Sequence, residues 1–296
     1  MSPLRKVLTG LFVVALLAGI AASSWISGEK DDPLATGSST TIPGSDGQRF
    51  PADQVVWQTR VTGGVLTDVS EAAAVPVITI YGDGRIFRSA PFKDRRFDQP
   101  VPVMTAKVDV GLLSAFVTRA ETSGLFDTDT DFGKPDVPDM ATTVAMLHGK
   151  NEPLWLEAYA LGGRFDADLS DAQAESREDL RRLLAAAEEL VPIPEPWMPE
   201  RVRVMRLADD ATFDPKPDAD AGAEPLPWPG PDLDELLQPT PEGSSALACG
   251  EVTGSAAAAL FDDATENPLP QWRVDGKVRT LILVALLPGE AACPTA

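Results

Sequence analysis

The chain is predicted to be α+β: an antiparallel sheet of hairpins covered by two helices, plus a smaller disulfide-closed C-terminal α+β unit. Three observations predict it. Asp-Gly pairs at Asp83-Gly84 and Asp275-Gly276 lie between apolar runs, two segments carry a cap followed by a helical apolar stripe, and Cys249 and Cys293 both fall near the C-terminus. Strands and helices alternate as strands, helix, strands, helix, an order most simply satisfied by one sheet with both helices on the same face.

The first strand is read at Gln54 to Thr62, alternating around Val56 and Val61. Val75 to Ile80 leads into Tyr81-Gly82-Asp83-Gly84-Arg85 and then Ile86 and Phe87. An Asp-Gly between apolar runs signals a hairpin whose two central residues take positive φ. After a strand near Met104 to Val108, Asp109 is placed to cap a helix. Its apolar stripe would be Leu112, Leu113, Phe116, Val117 and Ala120, with Gly124 ending it. Thr142 to Leu147 and Leu154 to Leu161 read as a second hairpin joined through His148-Gly149-Lys150-Asn151. Ser170 and Gln173 form a capping box for a second helix with the stripe Leu180, Leu183, Leu184, Ala187, Leu190 and Val191.

From Pro192 prolines crowd the chain, which describes an extended connector in which Arg201 to Leu207 could form one strand against a domain edge. The C-terminal unit resumes with Cys249, a helix from Ser255 to Ala264, the Asp275-Gly276 hairpin and the run Thr280 to Leu287. That run lacks alternation, so it reads as a strand buried on both faces. In an oxidising compartment Cys249 and Cys293 pair most simply as one disulfide, worth about 3 to 4 kcal/mol for a loop of this size.

The N-terminus sets the compartment. Arg5 and Lys6 precede an uncharged run, Val7 to Gly28, and acidic residues follow it at Glu29, Asp31 and Asp32. This is a signal peptide or a transmembrane anchor with its N-terminus in the cytoplasm and the rest of the chain outside. The lipid-modified cysteine of a bacterial lipoprotein is missing after the apolar core. The organisation is then leader or anchor at 1–28, flexible tether at 29–52, α+β domain at 53–192, Pro-rich connector at 193–243 and C-terminal α+β unit at 244–296. A formal net charge of -20 argues against nucleic acid as a partner, since that affinity rests on Lys and Arg displacing counterions. Membrane contact would run through the N-terminal segment if it is uncleaved.

Catalytic patterns are few. His148, the only histidine, falls in the expected hairpin turn and reads as a solvated turn residue. Ser27-Gly28-Glu29-Lys30 matches Ser-x-x-Lys only by chance at the leader's edge, and Gly82-x-Gly84 lacks the third glycine of a dinucleotide loop. Asp127, Asp129 and Asp131 alternate as calcium ligands would, making calcium the one candidate cofactor. Counting from Asp127, however, the Gly and Glu that a calcium loop needs are replaced by Phe132 and Pro138, which favours a solvated acidic loop.

Ile78-Thr79-Ile80-Tyr81-Gly82-Asp83-Gly84-Arg85, Gly124-Leu125-Phe126, Asp139-Met140-Ala141-Thr142-Thr143-Val144 and Ala158-Tyr159-Ala160-Leu161 resemble segments of a group of uncharacterised exported proteins and lipoproteins of actinobacteria. The C-terminal pattern Trp272, Asp275-Gly276, Leu286-Leu287-Pro288 through Cys293 is similar to the same group. The resemblance implies an exported fold and no activity. The expected function is a non-enzymatic extracytoplasmic envelope protein, a binding module for an envelope protein or a wall ligand. The alternative is a carboxylate-dependent hydrolase of wall glycan or peptide, although nothing singles out a pair among the 45 acidic residues.

Overall fold

A computed structural model describes residues 49–64, 72–90, 99–149, 152–208, 224–242, 244, 246–266 and 271–293. The leader and all of the tether before Arg49 lie outside the described residues. No helix among the described residues is long and apolar enough to cross a membrane.

Two antiparallel sheets and four α-helices make up the described residues. The strands are β1 (Val55–Gly63), β2 (Ile78–Tyr81), β3 (Arg85–Ser89), β4 (Val103–Lys107), β5 (Ala141–Leu147), β6 (Leu154–Tyr159) and β7 (Glu195–Trp197), then β8 (Arg201–Arg206), β9 (Leu226–Pro227), β10 (Gln238–Pro239), β11 (Ala248–Thr253), β12 (Gln271–Val274) and β13 (Lys277–Ala285). The helices are α1 (Val110–Thr122), α2 (Asp171–Glu189), the single turn α3 (Leu233–Leu236) and α4 (Ser255–Glu266). The first sheet runs β6-β5-β1-β2-β3-β4-β7 and the second β10-β11-β8-β13-β12-β9. The short β9 lies parallel to β12.

Both long helices start where the sequence places their caps. Asp109 accepts from the backbone N–H of Gly111 at 2.8 Å and of Leu112 at 3.2 Å, and Ser170 and Gln173 close the capping box. They cover one face of the first sheet. Trp57, Ile78, Ile80, Ile86, Ala145, Leu147 and Leu156 meet Phe116, Val117, Leu180 and Leu183 in one core. Leu112 departs from the expected stripe. It is 59 % exposed, because the buried arc of α1 is narrowed to Leu113, Phe116, Val117 and Ala120.

The two Asp-Gly turns differ. At Asp275-Gly276 both residues take positive φ, 48° and 75°, and Val274 pairs directly with Lys277. This is the expected two-residue loop. At Asp83-Gly84 only Gly84 is left-handed, at 85°, while the Gly84 N–H donates to Tyr81 O at 2.9 Å. The turn is therefore one residue longer, a β-turn closed by a left-handed glycine. Glycine is required there by contact as well, since a Cβ would lie 2.3 Å from Val108 O.

The segment read as a connector supplies strands to both sheets, so the two parts meet through shared structure. Its strand prolines all lie at sheet margins: Pro196 in β7, Pro227 in β9 and Pro239 in β10. A proline cannot donate to a ladder and is tolerated where no neighbour needs its N–H. Arg201–Arg206 has no proline and, contrary to the expected edge position, lies in the centre of the second sheet, between β11 and β13. Leu281 to Leu287 are all buried, as the unalternating run predicts, with Leu281, Leu283 and Ala285 in one core and Ile282 and Val284 in another.

Candidate functional site: a cleft between the two sheets

β8 reads Arg-Val-Arg-Val-Met-Arg, and strand alternation separates its side chains. Val202 and Val204 turn to the core that α4 fills with Leu260 and Phe261. Arg201 and Arg203 project from the opposite face with Met205. A cation in a central strand is costly unless acceptors meet it. Here β11 and the C-terminal turn provide them. Arg201 Nε donates to Glu251 Oε1 and its Nη1 to Glu290 O at 2.9 Å. The hydrogen bond to Glu251 holds the Arg201 guanidinium above its ordinary pKa. Arg203 donates to Ala291 O at 2.7 Å and, through Nε, to Ala292 O.

The same turn is fastened from two further sides. The Tyr81 hydroxyl donates to Pro288 O at 2.7 Å, and burial, with Glu290 adding to it, pushes its pKa up. A Cys249–Cys293 disulfide closes the segment onto β11 across 44 residues, with Cα atoms 5.8 Å apart. The pairing expected of the two cysteines is thus present, which fits an oxidising compartment outside the cytoplasm.

Between this turn and the first sheet lies a cleft of about 500 Å³. Arg60, Val61 and Thr62 of β1 form one wall, and Arg203, Val284, Glu290 and Ala291 another. Arg60 is held by a polar relay: its Nε donates to Gln58 Oε1 at 2.7 Å, and Gln58 Nε2 donates to Thr79 Oγ1 at 3.1 Å. Burial foremost, with the charges of Arg201 and Arg60 adding to it and Glu290 opposing, lowers the pKa of Arg203. Glu290 accepts from the Leu287 N–H at 3.0 Å through one oxygen, which turns part of its charge back into its own loop. Two guanidinium groups thus border a cleft with a single carboxylate among its described lining residues, which suits an anionic oxygen from outside.

The acidic loop is held by hydrogen bonds of its own. Asp131 accepts from the Gly133 N–H at 2.8 Å and from Gln173 Nε2 at 2.7 Å, one bond on each oxygen. The Gln173 bond foremost, then the Gly133 bond, lowers its pKa. Asp127 carries the turn through its backbone, its N–H donating to Gly124 O and its carbonyl accepting from the Thr130 N–H, while Asp129 is exposed. Among the described residues no group of three or more metal-binding side chains is gathered. The loop is instead tied down by Arg177, fully buried in α2, which pairs with Asp166 at 2.6 Å and donates to the carbonyls of Phe132, Tyr159 and Ala160. His148 is half-buried at the end of β5, its N–H donating to Val56 O at 2.8 Å.

Arg60 and Arg203 line the cleft and Arg177 organises the acidic loop, and no short spacing in the sequence marks any of the three. The usable signal was the alternation of Arg and Val in β8, which announces a strand with a cationic face. No protein-family model, curated protein or solved structure matches this chain. The likeness to exported actinobacterial proteins therefore rests on its motifs alone.

Proposed function

We propose that the chain is a non-enzymatic binding module of the cell envelope, exported by its N-terminal segment, that grips an anionic group of its ligand between Arg60 and Arg203. The observation that carries this reading is that both arginines line one 500 Å³ cleft in a chain whose net charge is -20. Assembling like charges there is unfavourable for the fold alone, and an incoming carboxylate or phosphate relieves it. The modest net worth of exposed ion pairs makes the half-buried Arg203 the anchor and the exposed Arg60 its partner. Outside the cytoplasm such oxygens are offered by uronic acids of glycans and by phosphate-bearing polymers. The disulfide supports the compartment, and the leader supports export either as a retained anchor or as a cleaved signal. N-terminal sequencing of the mature protein separates those two, a start near Ser24 marking cleavage.

Titration calorimetry with glucuronate and with glycerol phosphate tests the proposal and tells the two sources apart. Saturable binding of either, weakened in Arg203→Gln and without product formation, is the expected result. Binding of neither overturns the proposal. Turnover that a single carboxylate substitution abolishes would replace it with the hydrolase reading.

A further inference from the structure

The opposite face of the second sheet carries a separate cavity of about 330 Å³. Three cations reach it from neighbouring strands. Arg206 pairs in register with Leu281, and Arg279 and Lys277 follow on the same face of β13, opposite Trp272 and Val274. Asp232, Asp234 and Asp275 also line the cavity, so the charged groups among its described lining residues are balanced three against three. Leu233, Leu237 and Val274 supply an apolar wall.

One donor in this lining is left over. Arg206 Nε is buried and has no hydrogen-bond partner. Arg279, in contrast, is engaged in an interaction of its own. Asp232 directs one oxygen to its own helix turn, where Oδ1 accepts from the Asp234 N–H at 2.8 Å. A buried donor of a charged group without an acceptor is rare in native proteins, because the desolvation it suffers is not returned. Nε itself has no open surface, but Arg206 as a whole is half-buried and lines the cavity, where an entering carboxylate matches the planar guanidinium best. The cavity is at the small end of ligand pockets, which run from about 300 to 1,000 Å³, so it suits a small molecule and not a polymer.

We infer that this cavity binds a small zwitterion with an apolar body, an apolar α-amino acid, its carboxylate accepting from Arg206 and its ammonium facing the aspartates. The site is independent of the cleft that Arg60 and Arg203 border, which lies on the other face of the sheet.

The test is a titration of the full chain, labelled with ¹⁵N-arginine, with L-leucine, following the Arg206 Nε–Hε resonance. That resonance is identified by its loss in Arg206→Lys. A saturable shift is expected, and titration calorimetry, which reads the unaltered chain and the variant alike, should show leucine binding at least about tenfold weaker in Arg206→Lys, which keeps the charge but removes the planar fork. Isoamylamine, which has the same apolar body and ammonium but no carboxylate, should leave the resonance in place, and Arg60→Gln should bind leucine as the unaltered chain does. The absence of a saturable shift with millimolar leucine overturns the inference, and this reading on the unaltered chain needs no variant to fold. Unchanged affinity in Arg206→Lys, or an equal shift with isoamylamine, overturns it as well. Failure of Arg60→Gln to bind glucuronate bears only on the cleft.

Discussion

The two sheets solve the same burial problem with different materials. The seven-stranded sheet packs an apolar face under α1 and α2, and the fully buried cation Arg177 lies at the loops it fastens, away from the strands. The six-stranded sheet places three arginines in its central strand, Arg201 and Arg203 on one face and Arg206 on the other. It has a smaller share of helix to cover it, and it is held by a disulfide and by carbonyls of a turn at the chain's end. Stability in the first part therefore comes chiefly from apolar area, and in the second from a cross-link and a set of charged hydrogen bonds. A region built in the second way has donors to spare, and the two cavities described above border on it.

The comparison is broken most directly by deleting from the first core. Trp57 is fully buried, with its ring edge-on to Phe116 at 5.1 Å and Phe126 at 6.1 Å. Trp57→Ala should cost roughly 3 to 5 kcal/mol in urea unfolding, with little effect on anion binding if the chain still folds. A cost below about 1 kcal/mol would mean that this core does not carry the stability assigned to it. The matching change in the second part, Cys249→Ser with Cys293→Ser, should cost about 3 to 4 kcal/mol and should also weaken glucuronate or glycerol phosphate binding, because the turn that positions Arg203 is released. Calorimetry of the same double variant measures both. Loss of stability with full retention of binding would separate the disulfide from the cleft.

The two hairpins give a smaller contrast. Gly276→Ala places a side chain at positive φ in open space, a strain of about 1 kcal/mol. Gly84→Ala adds to that strain a collision with Val108 O and should destabilise more, as thermal unfolding of the two variants would show. Equal shifts in Tm would contradict the turn geometry.

The smallest effect belongs to Asp131. Its folded-state pKa lies below the ordinary carboxyl value because Gln173 and Gly133 donate to the charged form. Its contribution is therefore fully present above the unfolded pKa, near 3.9, and is lost as pH falls through the lower folded value. Asp131→Asn should make the stability of the chain slightly less dependent on pH over that acid window, measured by urea midpoints, and should leave it unchanged in shape near neutrality. An unaltered acid limb would show that the loop is not fastened through this carboxylate.

Local chemistry made much of the fold legible. Asp109, Ser170 and Gln173 announce helix starts through side chains that satisfy the backbone, and Leu180, Leu183 and Ala187 announce the buried face by spacing alone. Asp275-Gly276 announces its turn because so few residues accept that backbone. The site was less legible, for a physical reason. Arg60 and Arg203 lie 143 positions apart in sequence and come together only because the chain crosses from β7 at one sheet's edge into β8 at the other's centre. The proline count of the connector hid that crossing, since composition describes the whole segment while its described prolines all fall outside β8, in marginal strands or between strands. Leu112 misled for the opposite reason: its spacing suits the stripe, but the sheet beneath α1 is met by a narrower arc.

The central claim is that Arg60 and Arg203 act together on one anionic group. The measurement that tests it most directly is a double-mutant cycle on binding of whichever probe, glucuronate or glycerol phosphate, the unaltered chain takes, using Arg60→Gln, Arg203→Gln and the pair. The account predicts that each single change weakens binding, Arg203→Gln by roughly tenfold and Arg60→Gln by less, and that the double loss falls short of the sum. Binding that persists at full strength in all three variants would contradict it.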